Sequence, residues 1–357
     1  MAKKKGNKIV TLVVVVLLLG ALGTGAMIGY PLYQKWKAAS MVNVELDEQT
    51  AVFIPTGSSA KDVADLLKSE GYIKDKATFE LIAGEMNYKK QKVVPGKYIL
   101  ETKMTNKELV TLLRGGYGRK SITVTFNAST VKTLNNLAVE VAPSIEASQE
   151  DLKAYLNDPE IHRKYGLTDK TFLTLFLPNT YKLLWNTSAE EFVSRMAQEY
   201  KNFWTDERKA KAKTLNLSQS EVAILATVTE AEQQRFAEEW PRIAGLYINR
   251  LKRGQKLQSD PTVIYGIGDF SITRVLYKHL EYDSPYNTYM YKGLPPGPIR
   301  LPNPEVMKAV LDYEKHEFIY MCAKPKTGGK HNFAKSYKQH LVYARQYQRW
   351  MDAGQPQ

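Results

Sequence analysis

The chain has 357 residues, 43% hydrophobic and 24% charged, which at roughly 100–200 residues per domain leaves room for two or more domains with true cores. Lys and Arg exceed Asp and Glu by 50 to 37, a formal net charge of +13, but the basic residues are spread along the chain without any nucleic-acid motif, so a nucleic-acid partner is not expected. The single cysteine, Cys322, rules out an internal disulfide, and five scattered histidines without ligand spacing point to no metal and no cofactor.

The first eight residues carry Lys3, Lys4, Lys5 and Lys8, and an uncharged, largely apolar run follows from Ile9 to Tyr30. About 20 helical residues at ~1.5 Å each span a hydrocarbon core of roughly 30 Å, so this run predicts a transmembrane helix. It is too long for the apolar stretch of a secretory signal, usually about 7–15 residues. Tyr30, Tyr33 and Trp36 make an interfacial aromatic belt, and the lysine cluster predicts an N-terminus in the cytoplasm. Residues 31–41 read as a linker, and everything beyond is expected outside the cytoplasmic membrane.

Residues 42–118 read as a small α+β module. Ala51 to Ile54 is a short strand, and Ser59 with Asp62 has capping-box spacing for a helix ending at Gly71. A second helical piece covers Ala77 to Ala83, and Tyr98 to Leu100 is a strand after the Pro95-Gly96 turn. Thr105 and Glu108 cap a third helix. Such a pattern suits a carbohydrate-binding module of the LysM kind and equally any small α+β domain.

Residues 119–357 read as a mainly helical domain with some β structure, opened by a strand at Ser121 to Phe126. Helices are predicted near Val131 to Val141, after Ser148, and after Thr187, which is paired with Glu190 as a cap. Ser218 and Glu221 start another, carrying Val222, Ile224, Leu225, Ala226 and Val228 and so apolar over most of its circumference. Glu230 and Glu232 stand at its C-terminal end. A carboxyl on a buried helix sits in a cleft, where low dielectric makes it a proton donor, or else both are solvated glutamates at a helix end. Pro241 opens the next helix, and Asp260-Pro261 reads as N-cap and first helical position. Ser284 to Tyr289 and Gly293 to Ile299 form loops whose aromatic and amide side chains suit sugar rings and N-acetyl groups, or serve as rigid connectors.

Taken together, these segments closely resemble the endolytic murein transglycosylase family, the YceG-like group. The resemblance rests on Ala226-Thr227-Val228-Thr229-Glu230-Ala231-Glu232, on Asn249-Arg250-Leu251, and on Leu257-Gln258-Ser259-Asp260-Pro261-Thr262-Val263-Ile264-Tyr265-Gly266. It continues through Ser284-Pro285-Tyr286-Asn287-Thr288-Tyr289, Gly293 to Ile299, and His331 with Phe333, Ser336 and His340. Two segments depart from the family pattern: Leu177-Pro178-Asn179-Thr180-Tyr181 has Asn179 where an acid is common, and Arg300-Leu301-Pro302 follows Ile299. The resemblance implies cleavage of peptidoglycan glycan strands, with Glu230 as the catalytic acid and base and Glu232 supporting it. It also implies Gln258, Asp260, Tyr265, Tyr286, Asn287, Thr288 and Tyr289 as substrate contacts, with the membrane and wall-synthesis proteins as partners. A hydrolytic muramidase would need a second carboxylate from Glu232, Asp260 or Asp269. A non-catalytic wall-binding scaffold would need none.

Overall fold

The computed structural model describes residues 3–88 and 93–354, with the side chains of 3–10 and 21–22 left aside. The chain folds as two compact units, Met1–Ile122 with Lys182–Asn186, and Thr123–Tyr181 with Thr187–Gln357.

The first unit opens on α1 (Lys3–Ser40), a helix with Pro31 inside it. Among the described residues this is the one helix long and apolar enough to cross a membrane, over Thr11–Ser40. Residues 31–40, expected as a linker, are helical too. Their end is held because Ala38 is buried in the module core and its carbonyl accepts from Asn106 Nδ2 at 2.9 Å. Strands β1 (Val42–Glu45) and β2 (Thr50–Ile54) follow, then α2 (Ala60–Ser69) and α3 (Lys76–Glu85). Strands β3 (Gly96–Leu100) and β4 (Lys103–Thr105) lead into α4 (Asn106–Arg114). β1 pairs antiparallel with β4 and β2 with β3, in the register Val52 to Tyr98. The expected capping boxes at Ser59–Asp62 and Thr105–Glu108 are both formed, so α2 and α4 present Val63, Leu67, Leu109 and Leu113 to one core.

Two fully buried asparagines tie this unit together. Asn43 Nδ2 donates to Asn106 Oδ1 and to Asp75 O, both at 2.7 Å, while Asn43 Oδ1 accepts from Asp75 N at 2.7 Å. Every polar atom of the Asn43 amide is thus engaged, which is what makes its burial tolerable. Replacing Asn43 with Ala strands the Asp75 N–H and the Asn106 carbonyl oxygen. At about 1–3 kcal/mol for each unsatisfied buried group, the variant is expected to lose ~2–6 kcal/mol, read as a lower denaturant midpoint.

The second unit is mainly helical. It takes in most of β5 (Ser121–Phe126), then α5 (Leu134–Val141), α6 (Gln149–Leu156), α7 (Pro159–Lys164) and strand β6 (Asn179–Leu184), which pairs with β5. Helices α8 (Ala189–Phe203), α9 (Asp206–Thr214), α10 (Gln219–Glu232), α11 (Trp240–Lys252) and α12 (Asp260–Ile267) come next. The short α13 (Tyr277–Leu280), α14 (Pro304–Leu311), the hairpin β7 (Tyr320–Ala323) with β8 (His331–Ala334), and α15 (Tyr337–Asp352) complete it. The cap of α8 is Ser188 with Glu191, one residue beyond the expected Thr187–Glu190 pair, because the Ser188 hydroxyl reaches the Glu191 N–H. α10 is the axis of this unit: all of Val222 to Thr229 are buried, against α11, α12 and α14.

Candidate active site

The Ser218–Glu221 capping box starts α10 as expected. The burial of the next two turns on all sides fixes where its last turn points. At about 100° per residue, Glu230 and Glu232 lie roughly 200° apart around the helix. They therefore face different neighbours.

Glu230 meets α14. Its Oε1 accepts from Nδ2 of Asn303, the N-cap of that helix, at 3.0 Å, and its Oε2 is buried with no hydrogen-bond partner among the described residues. One turn earlier Thr227 Oγ1 accepts from Ile299 N at 3.2 Å, so the 299–303 segment lies along this face. Burial raises the Glu230 pKa, while the Asn303 hydrogen bond and the positive charge of Arg300 oppose the shift.

Glu232 meets α11 and the start of α12. Its Oε1 accepts from the Tyr247 hydroxyl at 2.8 Å and from Ser259 Oγ. Burial raises its pKa too, against the pull of those two donors and with help from the negative charge of Asp260. The carboxyl opens on a cleft of about 200 Å³ whose walls include Arg250, Gln258, Asp260, Tyr289 and His331. Asp260 Oδ1 accepts from the Tyr289 hydroxyl at 2.6 Å. Arg250 braces one wall, donating from Nε to Ile319 O at 2.7 Å and from Nη1 to Leu257 O at 2.5 Å. Gln258 is held in the left-handed region, φ 50°, next to that brace. A non-glycine residue in that conformation persists only where its surroundings enforce it. His331 Nδ1 bonds Glu239 Oε2 at 2.8 Å, and Gln233 Nε2 donates to the same oxygen at 2.8 Å.

Glu230, expected as the acid and base, does not line this cleft; Glu232, expected in support, does. Gln258, Asp260 and Tyr289 gather around it. Asp260 is not the N-cap of α12: Ser259 holds that position without a side-chain cap bond, and the Asp260 carboxylate is left for Tyr289. Asn287 and Thr288, expected as substrate contacts, are buried at 0% and 2% exposure. The Asn287 amide donates to Leu280 O at 2.9 Å and Tyr282 O at 2.8 Å, and Thr288 Oγ1 accepts from Ser259 N at 3.0 Å. Both are consumed in folding the loop that carries Tyr289. Tyr265 and Tyr286 stand apart from the cleft, with ring centroids 4.7 Å from each other and Phe270 beyond at 6.1 Å from Tyr265. Asp269 accepts from Ser271 Oγ at 2.6 Å and is not part of the cleft wall. Tyr247, Ser259 and Asn303 were missed as partners of the two glutamates. Tyr247 looked like one more apolar position of α11.

A family model described as YceG-like matches residues 52–346. The chain belongs to the YceG-like family. Among relatives of this YceG-like chain, an endolytic murein transglycosylase of Bacillus subtilis (strain 168) is 32% identical over 317 residues, covering 83% of the chain and 85% of that protein. An endolytic murein transglycosylase of Streptococcus pneumoniae is 25% identical over 90% of the chain, which spans 62% of that longer relative. A crystal structure of a yceG-like protein from Listeria monocytogenes shares 26% identity and superposes with a TM-score of 0.54, covering 83% of this chain and 98% of that one.

Proposed function

We propose that this YceG-like chain is an endolytic lytic transglycosylase of peptidoglycan, anchored in the cytoplasmic membrane by α1, with Glu232 as its acid and base. The activity is that named for its relatives from B. subtilis and S. pneumoniae. The observation that carries the choice of residue is the Glu232 carboxyl. It opens on a polar cleft, is oriented by Tyr247 and Ser259, and has a raised pKa. A carboxyl that burial makes hold its proton more tightly than an ordinary glutamate can donate it to the glycosidic oxygen between N-acetylmuramic acid and N-acetylglucosamine as the bond to the anomeric carbon breaks. The carboxylate so formed takes the proton of the muramyl 6-hydroxyl, whose oxygen closes on the anomeric carbon as a 1,6-anhydro ring. No water is consumed and no second carboxylate is required. Asp260, held by Tyr289, supplies negative charge to the cationic transition state.

Asp260 also favours a second reading, hydrolysis by an acid with a second carboxylate in the same cleft. Mass analysis of digested glycan strands separates the two. Anhydro ends one water lighter than reducing ends are expected, and reducing ends alone would sink the transglycosylase mechanism.

The same reading puts the first unit on the wall side of the membrane as a glycan-binding module, where cleavage of nascent strands would limit their length beside wall-synthesis proteins. Protease added to spheroplasts is expected to remove both folded units, leaving a fragment of α1; protection of those units would reverse the orientation.

A further inference from the structure

Beside Glu230, on the face of α10 turned away from the cleft-lining carboxyl, the chain assembles two cations over an aromatic platform. Arg300 is fixed between Ile299, whose N–H bonds Thr227, and Asn303, whose amide bonds Glu230. Leu301 N donates to Val131 O at 3.2 Å, which brings Lys132 alongside. The Tyr265 hydroxyl donates to Lys132 O at 3.4 Å, and Lys132 Nζ sits 4.0 Å from the centroid of the Phe270 ring. Both cations are part-buried. Burial pushes both pKa values down, and for Lys132 the Arg300 charge adds to that push. Glu230 offsets part of the Arg300 charge. Even with Glu230 ionised, the three groups carry a net charge of about +1, with like charges held close by the backbone. Such an arrangement is unfavourable until an anion joins it.

We propose that Arg300 and Lys132 form a carboxylate-binding subsite that holds an acidic substituent of the glycan strand, with Tyr265 and Phe270 as the apolar floor beneath the adjoining sugar. The subsite rests on the peptidoglycan reading above and extends it to the charge of the substrate. Its position suits that role. Asp260 in the cleft and Tyr265 at the platform are five residues apart on α12, ~7.5 Å along its axis, about the length of one to two sugars. A bidentate guanidinium and an ammonium together match the geometry of one carboxylate. A peptidoglycan strand can supply that group from a stem peptide or from a muramyl lactyl ether freed of its peptide.

The test uses the full-length chain in detergent and three polymers: peptide-bearing strands, the same strands with their carboxylates capped as methylamides, and strands freed of peptide by an amidase. Wild type is expected to cleave peptide-bearing strands with a kcat/KM about five- to tenfold above capped ones, mainly through KM. The amidase-treated strands separate the sources: loss of that advantage confines the subsite to a peptide carboxylate, and its retention shows that the lactyl carboxylate, free only in those strands, fills the subsite as well. In a Lys132→Ser, Arg300→Ser double variant the ratio of peptide-bearing to capped substrate falls toward one, whereas Arg300→Lys keeps most of it. A ratio needs only active enzyme, so partial unfolding does not obscure it. Equal cleavage of both polymers by wild type, or an undiminished ratio in the double variant, overturns the subsite alone. Wild type that cleaves none of the three overturns the functional reading beneath it.

Discussion

Glu232→Gln is expected to cut formation of anhydro product by at least 10²–10⁴-fold, the usual worth of a general acid and base, while the protein stays folded. The amide keeps an oxygen for the Tyr247 hydroxyl and Ser259 Oγ but has no proton to give. Stability should not fall with activity. Because burial holds the folded pKa of Glu232 above its unfolded value, the folded state binds the proton more tightly, and stability declines as pH rises from the ordinary glutamate pKa through the folded one. Above that window a buried charge is a cost, so Gln at this position should leave the melting temperature at neutral pH unchanged or raised. Activity should decline on the alkaline side as Glu232 loses its proton, and this limb should vanish from the residual rate of the variant. Glu230→Gln keeps an acceptor for Asn303 and lies off the cleft, so its loss should be less than about tenfold. A folded Glu230→Gln variant with the larger loss would return the acid to Glu230.

The placement of the two glutamates shows where the sequence stops being informative. The capping boxes at Ser59, Thr105 and Ser218 were legible because their partners lie three residues apart, as were the strand at Tyr98 and the helix that carries both glutamates. Which glutamate faces the cleft was not legible. α10 is apolar on every side, so its pattern has no polar face from which to read an orientation. The deciding partners are Tyr247, 15 residues on, and Asn303, 73 residues on. The burial of Asn287 and Thr288 was not legible for a related reason. An amide and a hydroxyl in a loop suit a sugar, but a loop that packs against α12 must first satisfy its own buried carbonyls and N–H groups. Asp260, Gln258 and Tyr289 share the cleft because their motifs lie on the two segments that wall it.

Gly297→Ala is expected to be among the most damaging substitutions outside the cleft. Nothing in the backbone conformation of Gly297 demands glycine; the constraint is space. A Cβ built there falls well inside van der Waals contact distance of the Lys170 carbonyl oxygen and 2.8 Å from the Tyr286 hydroxyl. The carbonyl belongs to the main chain just before the buried Phe172–Leu175 turn and cannot swing aside as a side-chain tip could. Relief requires the 293–299 loop to move, and that loop leads directly into Ile299, Arg300 and Asn303 on the Glu230 face of α10. Overpacking against backbone costs about 1–3 kcal/mol and occasionally more, so a loss of ~3 kcal/mol and a fall in melting temperature on the order of 5–10 °C are expected. Gly293 provides the comparison within the same loop. It sits at φ 87° with open space around it, so Ala there meets only the left-handed backbone penalty, about 1–2 kcal/mol. Thermal melts of the two variants should therefore rank Gly297→Ala below Gly293→Ala. If close approach to Lys170 is the cause, adding Tyr286→Phe should recover little of the loss, because the carbonyl clash remains.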